Sequence, residues 1–168
     1  MSDAVILTVD GQVERPLKLT FTDLEGLPGP AQVPDVSRFH PNRQGDGVTL
    51  EAILERAGVL PSARYLTLHA EKDDFHVSVP LAPLLGQGIV VYRRGAERLG
   101  VEHGGPIRFL IRDPAACHTD QLDDCANVKY LSRMELTAGR GRDTRPADEE
   151  SHKALHKSQS QMQSIPTN

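Results

Sequence analysis

The chain has no tryptophan, and aromatic residues make up only 4% of its 168 positions. A core built on large rings is therefore excluded, and Leu, Val and Ile have to supply the buried surface. Only two cysteines are present, Cys117 and Cys125. That is too few for the bridged scaffold of a small secreted domain. No stretch approaches the roughly 20 apolar residues of a membrane span. The start "MSDAVILTVDG" has neither the basic region nor the cleavage pattern of a leader, so no membrane association and a cytoplasmic address are expected. An excess of positive charge is also missing. The net charge of −4 and a pI near 6.0 argue against a nucleic-acid partner, which needs a basic footprint to displace counterions. Hydrolase signatures are absent too: there is no Gly-x-Ser-x-Gly, no His-Glu-x-x-His and no phosphate-binding Gly-rich loop followed by Lys. What remains is a length suited to one domain, with 38% hydrophobic and 25% charged residues.

Along the chain, "AVILTV" and "VERPLKLT" read as two strands around an Asp10-Gly11 turn, with Pro16 limiting the second. Thr22 followed by "DLEGLPG" predicts one short helical turn capped by that threonine. Residues 28–47, rich in Pro and Gly, predict a loop with one short extended piece. "GVTLEAILERAG" is the clearest helix: Thr49 caps it, Leu50, Ile53, Leu54 and Ala57 recur at helical spacing, and Gly58 stops it. "ARYLTLHA" alternates Tyr65, Thr67 and His69 against Leu66, Leu68 and Ala70, which predicts a strand with one buried face. "FHVSVPL" is its expected partner. "LAPLLGQG" reads as a helical turn, "IVVYRRG" and "PIRFLI" as strands, and "VKYLSRMEL" as a turn leading into a last strand that ends at Thr137. The expected domain therefore spans residues 1–138. Residues 139–168 are polar and nearly free of apolar side chains, which predicts an unpacked tail. His152 and His156 in that tail stand at i, i+4, the spacing of a helical metal pair, against the simpler reading of a solvated segment.

Four segments in order, "VDGQVERPLKLTFTDLEGLP", "GDGVTLEAILERAGVLPSARYLTLHAEKDDFHVSVPL", "IVVYRRGAERLGVEHGGPIRFLI" and "NVKYLSRMEL", resemble the molybdopterin-binding oxidoreductase domain of the sulfite oxidase family. The resemblance covers residues 5–137. It implies an α+β fold, largely β with a few short helices, holding a molybdopterin cofactor. The terminal phosphate of such a pterin is dianionic, so it calls for Arg or Lys with glycine to let backbone N–H groups approach. "HGGPIR" places His103, Gly104, Gly105 and Arg108 at the matching motif positions, and "NVK" places Lys129. Without the resemblance, His103-Gly-Gly-Pro is a turn before a strand and Lys129 an exposed charge.

Family members bind molybdenum through a cysteine thiolate on the loop before the Gly-Val-x-Leu helix. The matching loop here, "PDVSRFHPNRQGDG", has no cysteine. One register lays "FHPNR" over the family's Cys-Ala-Gly-Asn-Arg, which puts Phe39 at the thiolate position and keeps Asn42 and Arg43 as cofactor contacts. Another puts Ser37 there, and His40 is the loop's conventional metal ligand. Gly45 and Asp46 stand where the family has an aromatic before its Gly-Val pair.

The stretch "RDPAACHTDQLDDCA" is longer than the family's loop and adds Cys117, His118, Asp120, Asp123, Asp124 and Cys125. Three readings of it stay open. Two buried thiols can pack as small hydrophobes. A disulfide would stabilise by about 2–3 kcal/mol through loop closure. A zinc or redox element could draw on Cys117, His118, Cys125 and His40, although adjacent Cys-His is an awkward ligand pair. The functional expectation is thus a molybdopterin-dependent oxidoreductase-type domain, with the missing thiolate arguing against oxygen-atom transfer. The alternative is a non-catalytic binding or assembly module that meets a protein partner through this loop.

Overall fold

Strand alternation in the sequence is expressed as two five-stranded sheets that share one core. The computed structural model describes residues 4–39, 44–112 and 128–144. In the first sheet, β1 (Val5–Gly11), β2 (Leu17–Thr20), β5 (Tyr65–Ala70), β6 (Phe75–Pro80) and β10 (Arg133–Thr137) lie in the order β2-β1-β10-β5-β6. Only the β1–β10 pair is parallel. The second sheet runs β3 (Gln32–Val33), β4 (Asp46–Thr49), β7 (Gly88–Arg94) and β8 (Glu97–Arg98), with β9 (Arg108–Ile111) also paired to β7.

Register makes whole rows of like side chains. Val9, Met134, Leu68 and Val77 stand across the first sheet in one row, and all are buried. The same core receives Val90 and Tyr92 of β7 and Phe109 and Ile111 of β9. Ile89, Val91 and Leu110, one residue out of phase, face the other way and form a smaller cluster with Val33, Val36 and Leu99. The segment "IVVY" is apolar throughout because both of its faces are covered.

Three local expectations are corrected. Asp10 and Gly11 do not make the turn. They still pair with Glu135 and Leu136, and the chain turns only after them, so the parallel partner β10 outcompetes the local turn signal. Gly11 has φ +91, and a Cβ there would collide with the Leu136 backbone. The cap of α1 (Phe21–Glu25) is Thr20 instead of Thr22: its hydroxyl accepts from Asp23 N at 3.1 Å while Asp23 Oδ2 accepts from Thr20 N at 2.9 Å. That start buries Phe21 and Leu24 together. Helix α2 (Leu50–Ala57) starts at its Thr49 cap and ends at Gly58 as expected.

The third correction concerns β5, which is buried on both faces. Thr67 and His69 are covered along with Leu66 and Leu68, because the polar face meets its own partners. Thr67 Oγ1 donates to Ser78 Oγ at 3.0 Å, and residues 139–144, expected to begin an unpacked tail, bond back onto β6. Thr144 N donates to His76 O at 2.8 Å and Gly141 N to Ser78 Oγ at 2.8 Å. The segment satisfies groups on the outer edge of β6, so backbone hydrogen bonding holds it without apolar side chains. The rest of the tail, with His152 and His156, lies outside the described residues.

Candidate functional site

Alternation along β9 separates two jobs. Phe109 and Ile111 enter the core, while Arg108 and Leu110 project to the opposite face of the sheet. There, with Val91 of β7, they form the floor of a cleft of ≈ 270 Å³. Its rim comes from two turns. One is the 3₁₀ turn Val101–His103, ended by Gly104 in the left-handed region at φ +89. The other is the Lys129–Tyr130 turn, tied to the first by Tyr130 N donating to Gly104 O at 2.8 Å. Phe109 and Val128 exchange N–H···O bonds of 2.8 and 2.9 Å, and Leu131 N donates to Ile107 O at 2.8 Å. The second turn is thereby held alongside β9.

Of the residues singled out in the sequence, His103, Gly104, Arg108 and Lys129 line this one cleft. Arg108 is 9% exposed, and its Nη1 donates to His103 O at 3.4 Å. Lys129 is exposed at the rim. A Cβ on Gly104 would come within 3.0 Å of Lys129 Cγ and 3.1 Å of Arg108 Nη1, so glycine here leaves space between the two cations. Arg94 donates to His103 Nε2 at 3.1 Å and to Gln44 Oε1 at 2.8 Å. Because a guanidinium only donates, His103 accepts at Nε2, is neutral in this bond and carries its proton on Nδ1. The positive charge at the cleft therefore comes from Arg108 and Lys129.

Gly105 meets a packing requirement. A Cβ on it would collide with the carbonyl of Leu99, and it does not line the cleft. Gly105→Ala is expected to destabilise by about 1–3 kcal/mol through overpacking. Thermal unfolding checks this, and an unchanged melting temperature would show that the Leu99 segment yields to a methyl group.

Asn42, Arg43 and His40, as well as Cys117, His118 and Cys125, lie outside the described residues. Among the described residues no group of three or more His, Cys, Asp or Glu is placed to hold a metal ion. Phe39, one of the two positions laid over the family's thiolate, packs against the small cluster that contains Val91 and Leu110, with the Arg112 guanidinium 4.7 Å from its ring centroid. Ser37, the other, donates to Asp35.

The sequence does not single out Gln44, Glu102 and Tyr130 on the rim or Val91 and Leu110 on the floor. The period-2 step from Arg108 to Leu110 is a usable signal for the latter. The rest depend on which turn lies against which. The lining, two cations around a glycine opening with the Glu102 carboxylate at the rim, suits an anion with two charges and not a bare metal ion.

Comparison with known proteins points in the same direction. The family model described as the oxidoreductase molybdopterin binding domain matches residues 41–143. An uncharacterized oxidoreductase, YuiH of Bacillus subtilis (strain 168), is 33% identical over 109 residues, 61% of this chain and 54% of the relative. The chain therefore spans about half the length of that relative. The crystal structure of the sulfane dehydrogenase SoxCD from Paracoccus pantotrophus superposes with a TM-score of 0.57 at 22% identity. That match covers 80% of this chain and 38% of the SoxCD chain, and it shows a shared fold.

Proposed function

The chain belongs to the oxidoreductase molybdopterin binding domain family, and from that premise we propose that the cleft beside β9 receives the phosphate end of molybdopterin. The observation that carries this reading is the convergence of Arg108 and Lys129 on the opening that Gly104 leaves between them. The residues fit the group. A dianionic phosphate is matched by two cations, and the absent Cβ of Gly104 admits an oxygen close to the backbone. Asn42 and Arg43 would extend these contacts. Bound with molybdenum, the cofactor supplies two-electron redox chemistry. The chain's own contribution is to grip and orient the phosphate from a buried arginine whose position is fixed by strand β9.

Loop 34–47 provides no cysteine, and this observation favours a second reading in which the domain holds the pterin without turning over a substrate. The module would then present its cofactor, or the acidic Cys117–Cys125 stretch, to a protein partner. A cytoplasmic address belongs to the proposal as well. Among the described residues no helix is long and apolar enough to cross a membrane.

One sample tests both readings. Full-length protein expressed in a host that makes the cofactor is denatured, oxidised and assayed for fluorescent pterin, while molybdenum is measured by elemental analysis. About one pterin per chain is expected, and no pterin would overturn the cleft assignment. Pterin with equimolar molybdenum and substrate turnover selects the catalytic reading. Pterin without turnover selects the binding module.

A further inference from the structure

The polar face of the first sheet holds a second built cluster, independent of the cleft. Register sets His69 of β5 opposite His76 of β6, their rings edge-on with centroids 4.9 Å apart. The two Nδ1 atoms are 2.7 Å apart. His69 Nε2 lies 3.0 Å from Glu135 Oε1, and His76 Nε2 lies 3.0 Å from Asp74 Oδ1. The two imidazole side chains are 7% and 5% exposed.

Counting protons settles the state this chain of contacts requires. An ionised carboxylate only accepts, so each Nε2 carries a hydrogen. A 2.7 Å Nδ1···Nδ1 approach is a hydrogen bond only if one hydrogen sits between the atoms. Three protons are thus distributed over four ring nitrogens, and the pair bears one positive charge. With two protons, one of the three contacts would set lone pairs against each other. With four, two N–H groups would meet head-on.

The surroundings favour that single charge. Glu135 faces the pair from β10 and also meets Arg133 Nη2 at 3.5 Å, while Arg133 is itself engaged by Asp10 of β1 at 2.9 and 3.1 Å. Glu71 lies beside the pair and accepts from Ser132 Oγ at 3.1 Å. Asp74 is shared with Arg142 at 3.0 Å, and Asp143 pairs with Arg140 at 3.2 Å. The hydrogen bond from His76, and then the charge of Arg142, hold the Asp74 carboxyl below its ordinary range. Its contribution is therefore present above that range and lost only as the pH falls through the lowered value.

His76 is also where residues 139–144 attach. Its backbone N–H donates to Thr144 Oγ1 at 3.1 Å and its carbonyl accepts from Thr144 N at 2.8 Å. Ser78 N, two residues on, donates to Asp143 Oδ2 at 3.0 Å. Arg142 reaches Asp74 from the same segment. A cleft of ≈ 500 Å³ bordered by Glu71, Asp74, Arg133 and Glu135 gives the pair a route for proton exchange with solvent.

We propose that His69 and His76 share a single proton, and that this proton is a pH-sensitive latch holding the 139–144 strap against the edge of β6. Loss of the shared proton, or gain of another, breaks one contact of the chain and loosens the strap from His76 and Asp74. The free edge of β6 is then exposed for pairing.

Hydrogen exchange on the full chain reads the latch through the Gly141, Thr144 and Ser78 amides, corrected for intrinsic pH dependence. Protection is expected to peak at an intermediate pH and to fall about tenfold on either side, the equivalent of one lost buried hydrogen bond. His69→Gln, which cannot hold the third proton, is expected to flatten the profile. Nitrogen-15 histidine spectra of the unsubstituted protein provide a second measurement should that variant not fold, and three ring protons on the docked pair are expected. A flat wild-type profile, or two ring protons with the strap protected, would overturn the latch. Neither result touches the cofactor reading.

Discussion

Arg108→Ala is expected to weaken molybdopterin retention by roughly 100-fold, the equivalent of about 3 kcal/mol for charge-assisted bonds to a phosphate. The size follows from burial. At 9% exposure the guanidinium has already been removed from bulk water, so its attraction for an anion is less screened than that of a surface lysine. Its place on β9 also fixes where the charge points, and little side-chain freedom is left to lose on binding. Lys129→Ala, at the exposed rim, is expected to cost closer to tenfold. Arg108→Lys should not restore binding, because a point charge on a flexible stem cannot reproduce the planar fork. Pterin content per chain after identical purification is the measurement. Wild-type content in Arg108→Ala would place the phosphate elsewhere.

One position along the strand, Phe109→Ala is expected to destabilise the protein by about 3–5 kcal/mol, lowering the melting temperature by on the order of 10 °C. The ring is fully buried, and its tip abuts Gly88, where even a Cβ would come within 3.0 Å of Cζ. The wall beside the void would be bare backbone, so no side chain from that position could fill it. The same residue exchanges two backbone bonds with Val128, immediately before Lys129. Measured without cofactor, Arg108→Ala is expected to lower the melting temperature by less than Phe109→Ala, because it empties no ring-sized space in the core. If both variants lose stability alike, the assignment of the two faces of β9 is wrong.

Much of the scaffold is legible in the order of residues alone. Helix α2 is visible with both ends, because Thr49, the helical spacing of Leu50, Ile53, Leu54 and Ala57, and Gly58 are local signals within one dozen residues. β7 and β9 can be read from apolar runs, and His103, Gly104, Arg108 and Lys129 from motif positions. Where local signals compete with a long-range partner they fail: Asp10-Gly11 has the composition of a turn but pairs with β10, more than 120 residues away in sequence. Gly105 reads as a cofactor contact from its motif position alone, while its close approach to the Leu99 carbonyl is visible only in the fold.

The sequence by itself determined that β5, β7 and β9 are strands, the caps of α2 and the residue types available to an anion. Those properties depend on neighbours within a few positions, where backbone geometry dictates which side chains share a face. Tertiary structure alone decided that His103 is neutral, since that follows from Arg94 reaching its Nε2. It also decided that Thr67, His69 and His76 are buried and that residues 139–144 are held. Each of these rests on hydrogen bonds between groups that turns and strand pairing bring together. A polar side chain is buried or solvated according to whether such a partner arrives, and composition carries no record of that.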